Sequence, residues 1–419
     1  MPFCKIFPCV EEKRKFFQND NEKQIRLQGL RAQLQNMHLT FQEYFPRKIL
    51  NVHRHVDGPW FWTKYSAHPY LGCRSGCEFC YLRGGKYLGK RAPESFDTLI
   101  QVKRNAAELL RHELFGLNPD VLACGDWQQP AEERYRLSRA MLEVVREYAF
   151  PLFIVERSPL LLRDLDLLTD INTRSWVGVV ISFSNLDQKL KQAFEPRSPG
   201  LQRRLHMMST LAQQGILVGA SLMPIIPFVG DDDAHLAEAV RATKEHGGQF
   251  VLAGGMSMSG VQAERTFAAA LALDSKIATQ WRQLFGANDG LTPSSSARAY
   301  AAQLGVRVRE LCERFGVHDR MPRYIPPGPL AINKKIAEKL FLKTYEYELL
   351  QTAPARVWAY RKAAWAVDES RESIAALFAA QGEAGLQTLP EIGKGIAHEI
   401  AQWLTLENPS EHVIPQESF

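Results

Sequence analysis

The chain has 419 residues, too many for one small hydrophobic core, so we expect one large domain with appendages. It is 45% hydrophobic and 23% charged, and its net charge of +5 permits a nucleic-acid partner without arguing for one. No apolar run reaches transmembrane length and no signal-peptide pattern opens the chain, so no membrane partner is expected. Seven cysteines, three of them clustered, are not a secreted disulfide framework and indicate a reducing cytoplasm.

Residues 1–58 are polar and are predicted to form an N-terminal helical extension, with a helix from about Asp20 to Tyr44. From residue 59 short apolar runs alternate with helical stretches such as 131–148 and 201–214. This alternation predicts an α/β domain with a parallel sheet or barrel, whose chemistry lies at the C-terminal ends of the strands. The predicted strands are 120–125, 150–156, 177–184, 216–226 and 250–254.

The stretch 261–330 is mostly helical and ends in the Pro-rich run 325–329, which disfavours helix and marks a boundary. Residues 331–419 are Ala-rich and are predicted to form a small all-α C-terminal domain. The predicted domains are therefore 1–58, 59–330 and 331–419.

The most informative motif is the loop that carries Cys73, Cys77 and Cys80 with C-x3-C-x2-C spacing and no fourth cysteine nearby. A closed structural zinc or iron–sulfur site takes four protein ligands. Three thiolates can instead hold three corners of a [4Fe–4S] cube and leave one iron open to a small chelating molecule. The alternative is zinc, with His68 or another residue as the fourth ligand.

This loop, with an aromatic residue before its last cysteine, resembles radical S-adenosylmethionine (SAM) enzymes. Its flank, His68-Pro69-Tyr70-Leu71-Gly72-Cys73, is similar to the Asn-Pro-Tyr-x-Gly-Cys run of their spore photoproduct lyase-related branch, with His68 replacing the usual Asn. The segments 125–132 and 157–168 resemble that branch's Thr-Asp-x-Tyr-Gln-Pro-x-Glu and Thr-Lys-Ser…Arg-Asp-x-Asp-Leu-Leu runs. Further matches follow in the same order at Ser182, 195–197 and 224–227.

The resemblance implies a partial (β/α)6 TIM-type barrel that holds a [4Fe–4S] cluster on the three cysteines and binds SAM at the open iron. An electron from the reduced cluster then cleaves SAM to a 5′-deoxyadenosyl radical, which abstracts hydrogen from a substrate. The cofactor supplies the chemistry, while the barrel supplies orientation and excludes water. A flavodoxin or ferredoxin is the usual electron donor of such enzymes.

The resemblance also assigns cofactor-binding roles to five residues, which are Asp126, Arg157, Ser182, Glu195 and Arg197. A carboxylate at 195 could accept hydrogen bonds from ribose hydroxyls, and Arg157, where the family has Lys, could hold the SAM carboxylate. The alternatives are a surface ion pair for Glu195 and Arg197, packing for Ser182, and helix capping for Asp126.

Cys124 lies at the end of a predicted strand, two residues before Asp126. Spore photoproduct lyase has a hydrogen-donating cysteine in the corresponding segment, but three residues before its Asp. A shift of one residue reverses the face on which a strand side chain lies. Cys124 is therefore either a hydrogen donor or a buried structural cysteine.

The C-terminal run Leu389-Pro390-Glu391-Ile392-Gly393-Lys394-Gly395-Ile396-Ala397 resembles the helix-hairpin-helix motif of the β-type DNA polymerases. Two glycines give a turn, and free N–H groups at the start of the second helix, with Lys394 beside them, suit a phosphate. The alternative is a packing hairpin. Nine Lys and Arg against twelve Asp and Glu make residues 331–419 acidic, so Gly393, Lys394 and Gly395 would act through local geometry.

The leading hypothesis is thus a radical SAM enzyme acting on DNA, by light-independent lesion repair or by modification. The alternatives are radical SAM modification of RNA or of a protein side chain, or a non-catalytic iron–sulfur protein that binds DNA or senses redox state. A candidate basic strip after the cysteine loop, of Arg83, Lys86, Lys90, Arg91, Lys103 and Arg104, is either a solvated face or a nucleic-acid contact.

Overall fold

The computed structural model describes residues 39–56, 58, 60–84, 88, 91–258, 260–285 and 294–407. They form two compact units, with 39–51 and 65–320 in the first and 52–64 and 321–407 in the second. The second unit thus starts ten residues before the boundary that we predicted at 330, and it includes a short segment from the N-terminal side of the cysteine loop.

The first unit is built on a seven-stranded sheet. The strands are β2 Leu50–Val52, β3 Tyr65–Ala67, β6 Leu122–Gly125, β7 Leu152–Glu156, β8 Val177–Ser182, β9 Leu217–Ile225 and β10 Phe250–Gly255. Their order across the sheet is β10-β9-β8-β7-β6-β3-β2, and from β10 to β3 every neighbouring pair is parallel. The parallel sheet and its last five strands confirm the sequence prediction, while closure into a barrel stays a prediction.

Helices follow most of these strands, as a parallel connection requires. They are α1 Ala106–Leu114, α2 Ala131–Tyr135, α3 Leu137–Glu147, α4 Leu165–Arg174, α5 Gln188–Phe194, α6 Leu201–Gln213, α7 Asp233–Glu245, α8 Gly260–Leu273, α9 Lys276–Phe285 and α10 Ser295–Phe315. All six residues of β8 are buried, which is typical of a parallel strand covered on both faces. Its residues Val179 and Ile181 belong to the main hydrophobic core, together with helix residues such as Leu142, Leu168 and Leu211.

A second sheet has three strands, β1 Thr40–Tyr44, β4 Tyr70–Leu71 and β5 Leu99–Lys103, in the order β1-β5-β4. It corrects the prediction of an N-terminal helix. The helix predicted from Asp20 to Tyr44 is wrong at its end, because Thr40–Tyr44 forms β1, which pairs in parallel with β5, Leu99–Lys103. Residues 20–38 lie outside the described part of the chain. The short β4, Tyr70–Leu71, pairs antiparallel with β5 and leads directly into the cysteine loop.

The second unit is helical in its described part, as predicted for this end of the chain. Its helices are α11 Ala331–Leu349, α12 Pro354–Asp368, α13 Ile374–Leu386 and α14 Lys394–Glu407. The buried ring of Trp62 packs edge-on against Phe341 of α11, and its Nε1 donates to the carbonyl of Met321. Arg323 pairs with Asp368 inside the same unit. Among the described residues, no helix has both the length and the apolar character needed to cross a membrane.

Candidate metal centre

The carboxyl ends of the parallel strands meet at one edge of the sheet, which is where open α/β sheets bind ligands. Asp126 directly follows β6, Arg157 directly follows β7, and Ser182 is the last residue of β8. The cysteine loop, residues 72–80, follows β3 and β4 at the same edge. The fold therefore brings together residues that lie more than a hundred positions apart in the sequence.

The cysteine loop is held from three sides. Gln129 Nε2 donates to the carbonyl of Gly72 at 2.8 Å, and Cys73 N donates to the carbonyl of Phe96 at 3.0 Å. Glu78 N donates to the carbonyl of Phe194, and Arg265 pairs with the Glu78 carboxylate at 2.8 Å. The loop is thus held by hydrogen bonds to its backbone and by a buried ion pair.

The three thiols lie close enough to influence one another. Burial raises the pKa of Cys73, and the neighbouring Asp126, Cys77 and Cys80 raise it further. Burial also raises the pKa of Cys77 to about 12, although Arg157 opposes the shift. Iron must therefore displace protons from these sulfurs when it binds, as is usual for thiolate ligands.

The donor set fits an iron–sulfur cube. Cys73 and Cys77 are buried and Cys80 is half-buried, and none of the three is in a disulfide. Among the described residues, no three His, Cys, Asp or Glu side chains converge on one point that could hold a single metal ion. Three thiolates are chemically suited to an iron–sulfur cube, in which each binds a separate iron corner. His68, which we considered as a fourth ligand for zinc, has its Nδ1 3.3 Å from the carbonyl oxygen of Gly125.

Gly76 and Arg197 depend on each other. Gly76 has a φ of 62°, and a Cβ there would lie 1.8 Å from Nη2 of Arg197. The Arg197 guanidinium lies over the loop, donates to the carbonyl of Arg74 at 3.1 Å and pairs with Asp97. Arg197 is thus bonded to the loop and to Asp97 rather than to Glu195.

Arg157 reaches the cysteines from β7. Its Nη1 lies 2.8 Å from Sγ of Cys77 and 3.4 Å from the Glu195 carboxylate, and its Nη2 donates to Ser182 Oγ at 3.3 Å. Since Ser182 contacts Arg157, it lies on the site face of β8. Arg157 therefore contacts two other predicted cofactor-binding residues, Ser182 and Glu195.

Glu195 is buried and carries two cationic partners. Arg204, on α6, pairs with its carboxylate at 2.6 Å, and Ser198 Oγ donates to it at 3.1 Å. Burial alone would raise the pKa of Glu195, but Arg204 and Arg157 outweigh burial and lower it. Glu195 is therefore ionised at neutral pH, and the surface ion pair with Arg197 that we considered does not form.

Asp126 lies against the first cysteine. It has a φ of 55°, unusual for a residue other than glycine, and the Cys73 thiol contacts its Oδ1 at 3.9 Å. Helix α2 begins at Ala131 after Pro130 and has no side-chain cap, so Asp126 does not cap it. The strained backbone instead turns Asp126 toward the cysteine loop.

Glu156 is a functional candidate that sequence reasoning missed. Its buried carboxylate accepts from the N–H groups of Gln128, Arg157 and Ser158 at 3.1, 2.8 and 3.0 Å. It thereby ties the loop of Asp126 to the loop of Arg157. Burial, reinforced by Asp126, raises the pKa of Glu156 to about 7. The only sequence signal was its position at the end of a strand, directly before Arg157.

The candidate basic strip is corrected by the structure. Arg83 is fully buried, its Nη2 lies 3.3 Å from Asp97, and its Nε donates to the carbonyl of Cys77. It therefore supports the cysteine loop and cannot contact a nucleic acid. Lys86 and Lys90 lie outside the described residues, and Arg104 pairs with Glu43.

Cys124 lies in the main hydrophobic core. It pairs in register with Ile154, which pairs in turn with Val179, and all three belong to that core. Ser182 is three residues beyond Val179 and thus lies on the other face of β8. The fold does not bring Cys124 to the face that carries Arg157 and Ser182, which favours the structural alternative.

Gly393, Lys394 and Gly395 lie in the second unit, at the start of α14, and all three are exposed. Residues 387–393 join α13 to α14, and the helix-hairpin-helix motif stays a prediction. A Cβ on either glycine would meet no other atom within 4 Å, and neither glycine has a positive φ.

Comparison of the sequence with known proteins finds relatives that are described as uncharacterized proteins. No family model matches the chain. An uncharacterized protein of Mycobacterium tuberculosis is 26% identical over 283 residues, which cover 66% of this chain and 81% of that protein. An uncharacterized protein of Methanocaldococcus jannaschii is 28% identical over 179 residues, which cover 42% of this chain and 66% of that protein.

Similar solved structures include a spore photoproduct lyase variant, with 15% sequence identity and a TM-score of 0.49. Spore photoproduct lyase complexed with dinucleoside spore photoproduct has 15% identity and a TM-score of 0.46. Each similarity covers 67% of this chain and 81% of the other chain. Methylornithine synthase has a TM-score of 0.33 at 12% identity, covering 59% of this chain and 64% of the other.

Proposed function

We propose that the protein is a radical SAM enzyme whose [4Fe–4S] cluster is held by Cys73, Cys77 and Cys80. The observation that carries the proposal is the set of three thiols on one loop at the C-terminal edge of a parallel sheet, where Arg157 Nη1 lies 2.8 Å from Sγ of Cys77. Three cysteine ligands leave one corner of a cube without a protein ligand, and the charged groups of Asp126, Arg157 and Glu195 surround this edge.

When bound, the reduced cluster would supply an electron for cleavage of SAM, and this cleavage would provide the means of hydrogen abstraction from the substrate. Arg157 would hold the carboxylate of SAM, and Ser182 would orient the Arg157 guanidinium. Glu195 would accept hydrogen bonds from ribose hydroxyls, because Arg204 and Arg157 keep it ionised. Asp126 would stand beside the cofactor, and Arg197 would hold the loop over it.

The test begins with anaerobic cluster reconstitution of the wild-type protein and of the variants Cys77→Ala and Cys312→Ala. Cys312 is also buried and free, but it lies on α10 in the core, so it is a matched control. We expect the wild type and the control to bind iron and to form 5′-deoxyadenosine. Cys77→Ala should do neither. Iron binding without 5′-deoxyadenosine would favour the non-catalytic redox-sensor alternative.

We further propose that the substrate is DNA, through lesion repair or modification of the spore photoproduct lyase type. The support is the motif series of the first unit together with the exposed Gly393-Lys394-Gly395 turn of the second. The N–H groups of a helix start favour a phosphate, although the acidic charge of this region gives no general attraction. The electron donor would be a flavodoxin or ferredoxin.

The DNA proposal is tested by incubating reconstituted protein with SAM and with intact or lesion-bearing oligonucleotides. Deuterium transfer between a labelled oligonucleotide and 5′-deoxyadenosine is the expected result. Abundant 5′-deoxyadenosine without deuterium transfer or change in any oligonucleotide would reject DNA. RNA and protein side chains would then be the remaining candidates, and mass spectrometry of the products would separate them.

A further inference from the structure

Phe228 combines three properties that rarely occur together. Its φ is 61°, in the left-handed region that disfavours a bulky side chain. Its ring is 41% exposed, so burial does not repay this strained backbone. It follows β9 by three residues and therefore lies at the sheet edge that carries the cysteine loop.

The loop that carries Phe228 is held by hydrogen bonds on both sides of that residue. Buried Trp281 donates from Nε1 to the carbonyl of Pro227 at 2.9 Å, and Val229 N donates to the carbonyl of Ile226. Further along, Tyr300 Oη donates to Asp231 at 2.5 Å. These bonds hold the backbone on either side of the ring in place.

The same loop is anchored beside the cysteines. Ile226 and Val229, on either side of Phe228, pack in one hydrophobic cluster with Cys77 and Phe79 of the cysteine loop. Phe228 itself is left out of this cluster, and its only aromatic contact among the described residues is Tyr300, at 6.1 Å between ring centroids. The ring is therefore exposed next to the candidate site rather than used in the core.

We propose that Phe228 is a substrate-contacting residue that stacks on the flat face of a nucleobase. This inference rests on the proposed function and names a contact for its substrate. A planar apolar ring selects a planar ring partner, and base stacking on aromatic side chains is tolerant of sequence. The neighbouring Asp231, Asp232 and Asp233 oppose phosphate, although Tyr300, His235 and Arg307 pair with them. The base, not the backbone, is the part that Phe228 contacts.

The test uses the full-length reconstituted protein, SAM, and a short single-stranded oligothymidylate as the probe. Replacing Phe228 with Trp keeps a stacking ring and adds a local reporter, because stacking of a base quenches Trp emission. The matched control is Phe115, which is 77% exposed but lies just before β6, at the opposite edge of the sheet. The variants are Phe228→Trp, Phe228→Ala, Phe228→Leu and the corresponding changes at Phe115.

We expect the oligothymidylate to quench the added emission of Phe228→Trp but not that of Phe115→Trp. Binding should weaken about tenfold in Phe228→Ala and Phe228→Leu, and should be unchanged in Phe115→Ala. Cleavage of SAM without substrate should be the same in all variants. A midpoint of thermal unfolding in Phe228→Ala that stays near the wild-type value separates lost stacking from lost folding.

Equal binding by the wild type, Phe228→Ala and Phe115→Ala, or the same emission change in both Trp variants, would overturn the inference and leave the proposed function standing. A large fall in the unfolding midpoint of Phe228→Ala in parallel with binding would also overturn it, because the ring would then be structural. If the wild type cleaves SAM but binds no oligothymidylate, the DNA part of the proposed function fails, and this contact fails with it.

Discussion

Arg157 Nη1 lies 2.8 Å from Sγ of Cys77, so this guanidinium is a direct cationic partner of the cysteine loop. The contact joins the end of β7 to the cysteine loop across eighty positions of sequence. Hydrogen bonds and charges near the sulfurs are among the factors that set the potential of an iron–sulfur cluster. The same side chain is also our candidate for holding SAM.

Loss of this cation should make the cluster harder to reduce. Replacing Arg157 with Met should lower the reduction potential on the order of 50 mV, since reduction adds negative charge beside the lost donor. Arg157→Lys should leave the reduction potential close to the wild-type value, because the positive charge remains. It should bind SAM more weakly, because an ammonium cannot reach Cys77, Ser182 and Glu195 together. Redox titration followed by electron paramagnetic resonance measures the potential. Arg174→Met, which removes an exposed partner of Asp170, is the control. Equal potentials in all these proteins would contradict the prediction.

Gly76 should not tolerate a side chain. In Gly76→Ala the new Cβ would displace Arg197 from the loop and from Asp97, and the positive φ would add strain. We expect loss of about 1–2 kcal/mol of stability and a sharp fall in bound iron. Gly84→Ala is the matched control, since Gly84 has a φ of −141° and open space at its Cβ. Iron content and unfolding curves measure both effects, and normal iron loading in Gly76→Ala would refute the argument.

Glu156 predicts a specific pH dependence of stability. Its pKa rises from 4.5 to about 7 on folding, so the folded protein binds a proton that the unfolded chain releases. The contribution of protonated Glu156 to the free energy of unfolding is therefore fully present below pH 4.5 and is lost as the pH rises through about 7. This loss is on the order of 3 kcal/mol.

The matched variant Glu156→Gln has the same shape but no titration. The difference in unfolding free energy between wild type and variant should therefore shrink or change sign between pH 5 and pH 8, both measured by denaturant titration of the cluster-free proteins. The control is Glu147→Gln, which changes an exposed partner of Arg111. It should leave the dependence of the unfolding free energy on pH unaltered between pH 5 and pH 8. A constant difference across this range would show that Glu156 does not titrate in it.

Cys124 should act through packing. In Cys124→Ala we expect about 1–2 kcal/mol of lost stability, because the side chain is 3% exposed in the main core, with SAM cleavage and the final products unchanged. Cys312→Ala, at 1% exposure, should behave alike. Altered products from Cys124→Ala alone, at unchanged stability, would restore the hydrogen-donor hypothesis.

The exposed glycines of α14 allow a test of DNA contact by close approach. Gly395→Ala should keep or raise the stability of the protein, since Ala is favoured over Gly in a helix by up to about 1 kcal/mol. If a DNA backbone lies against this turn, the added methyl should nevertheless weaken duplex binding severalfold in fluorescence anisotropy. Gly200→Ala, where the space is also open, is the control. Unchanged binding in both variants would remove this turn from the DNA interface.

The sequence by itself determined the parts of the protein that depend on local pattern. The spacing of Cys73, Cys77 and Cys80 predicted the proposed ligand set, because residues on one short loop are necessarily close in space. The apolar runs that became β6 to β10 were recognisable because a strand covered on both faces is continuously hydrophobic. The helices of the C-terminal region were likewise visible in the local pattern.

Only the tertiary structure decided which side chains meet. The strand at Thr40–Tyr44 was missed because its partner, Leu99–Lys103, lies some sixty positions away and provides the hydrogen bonds. The face of Cys124, the burial of Arg83 against Asp97, the Arg204 partner of Glu195 and the Glu156 bridge all depend on strand register and long-range packing. For the same reason, only the folded chain brings Arg157 and Asp126 into contact with the cysteine loop.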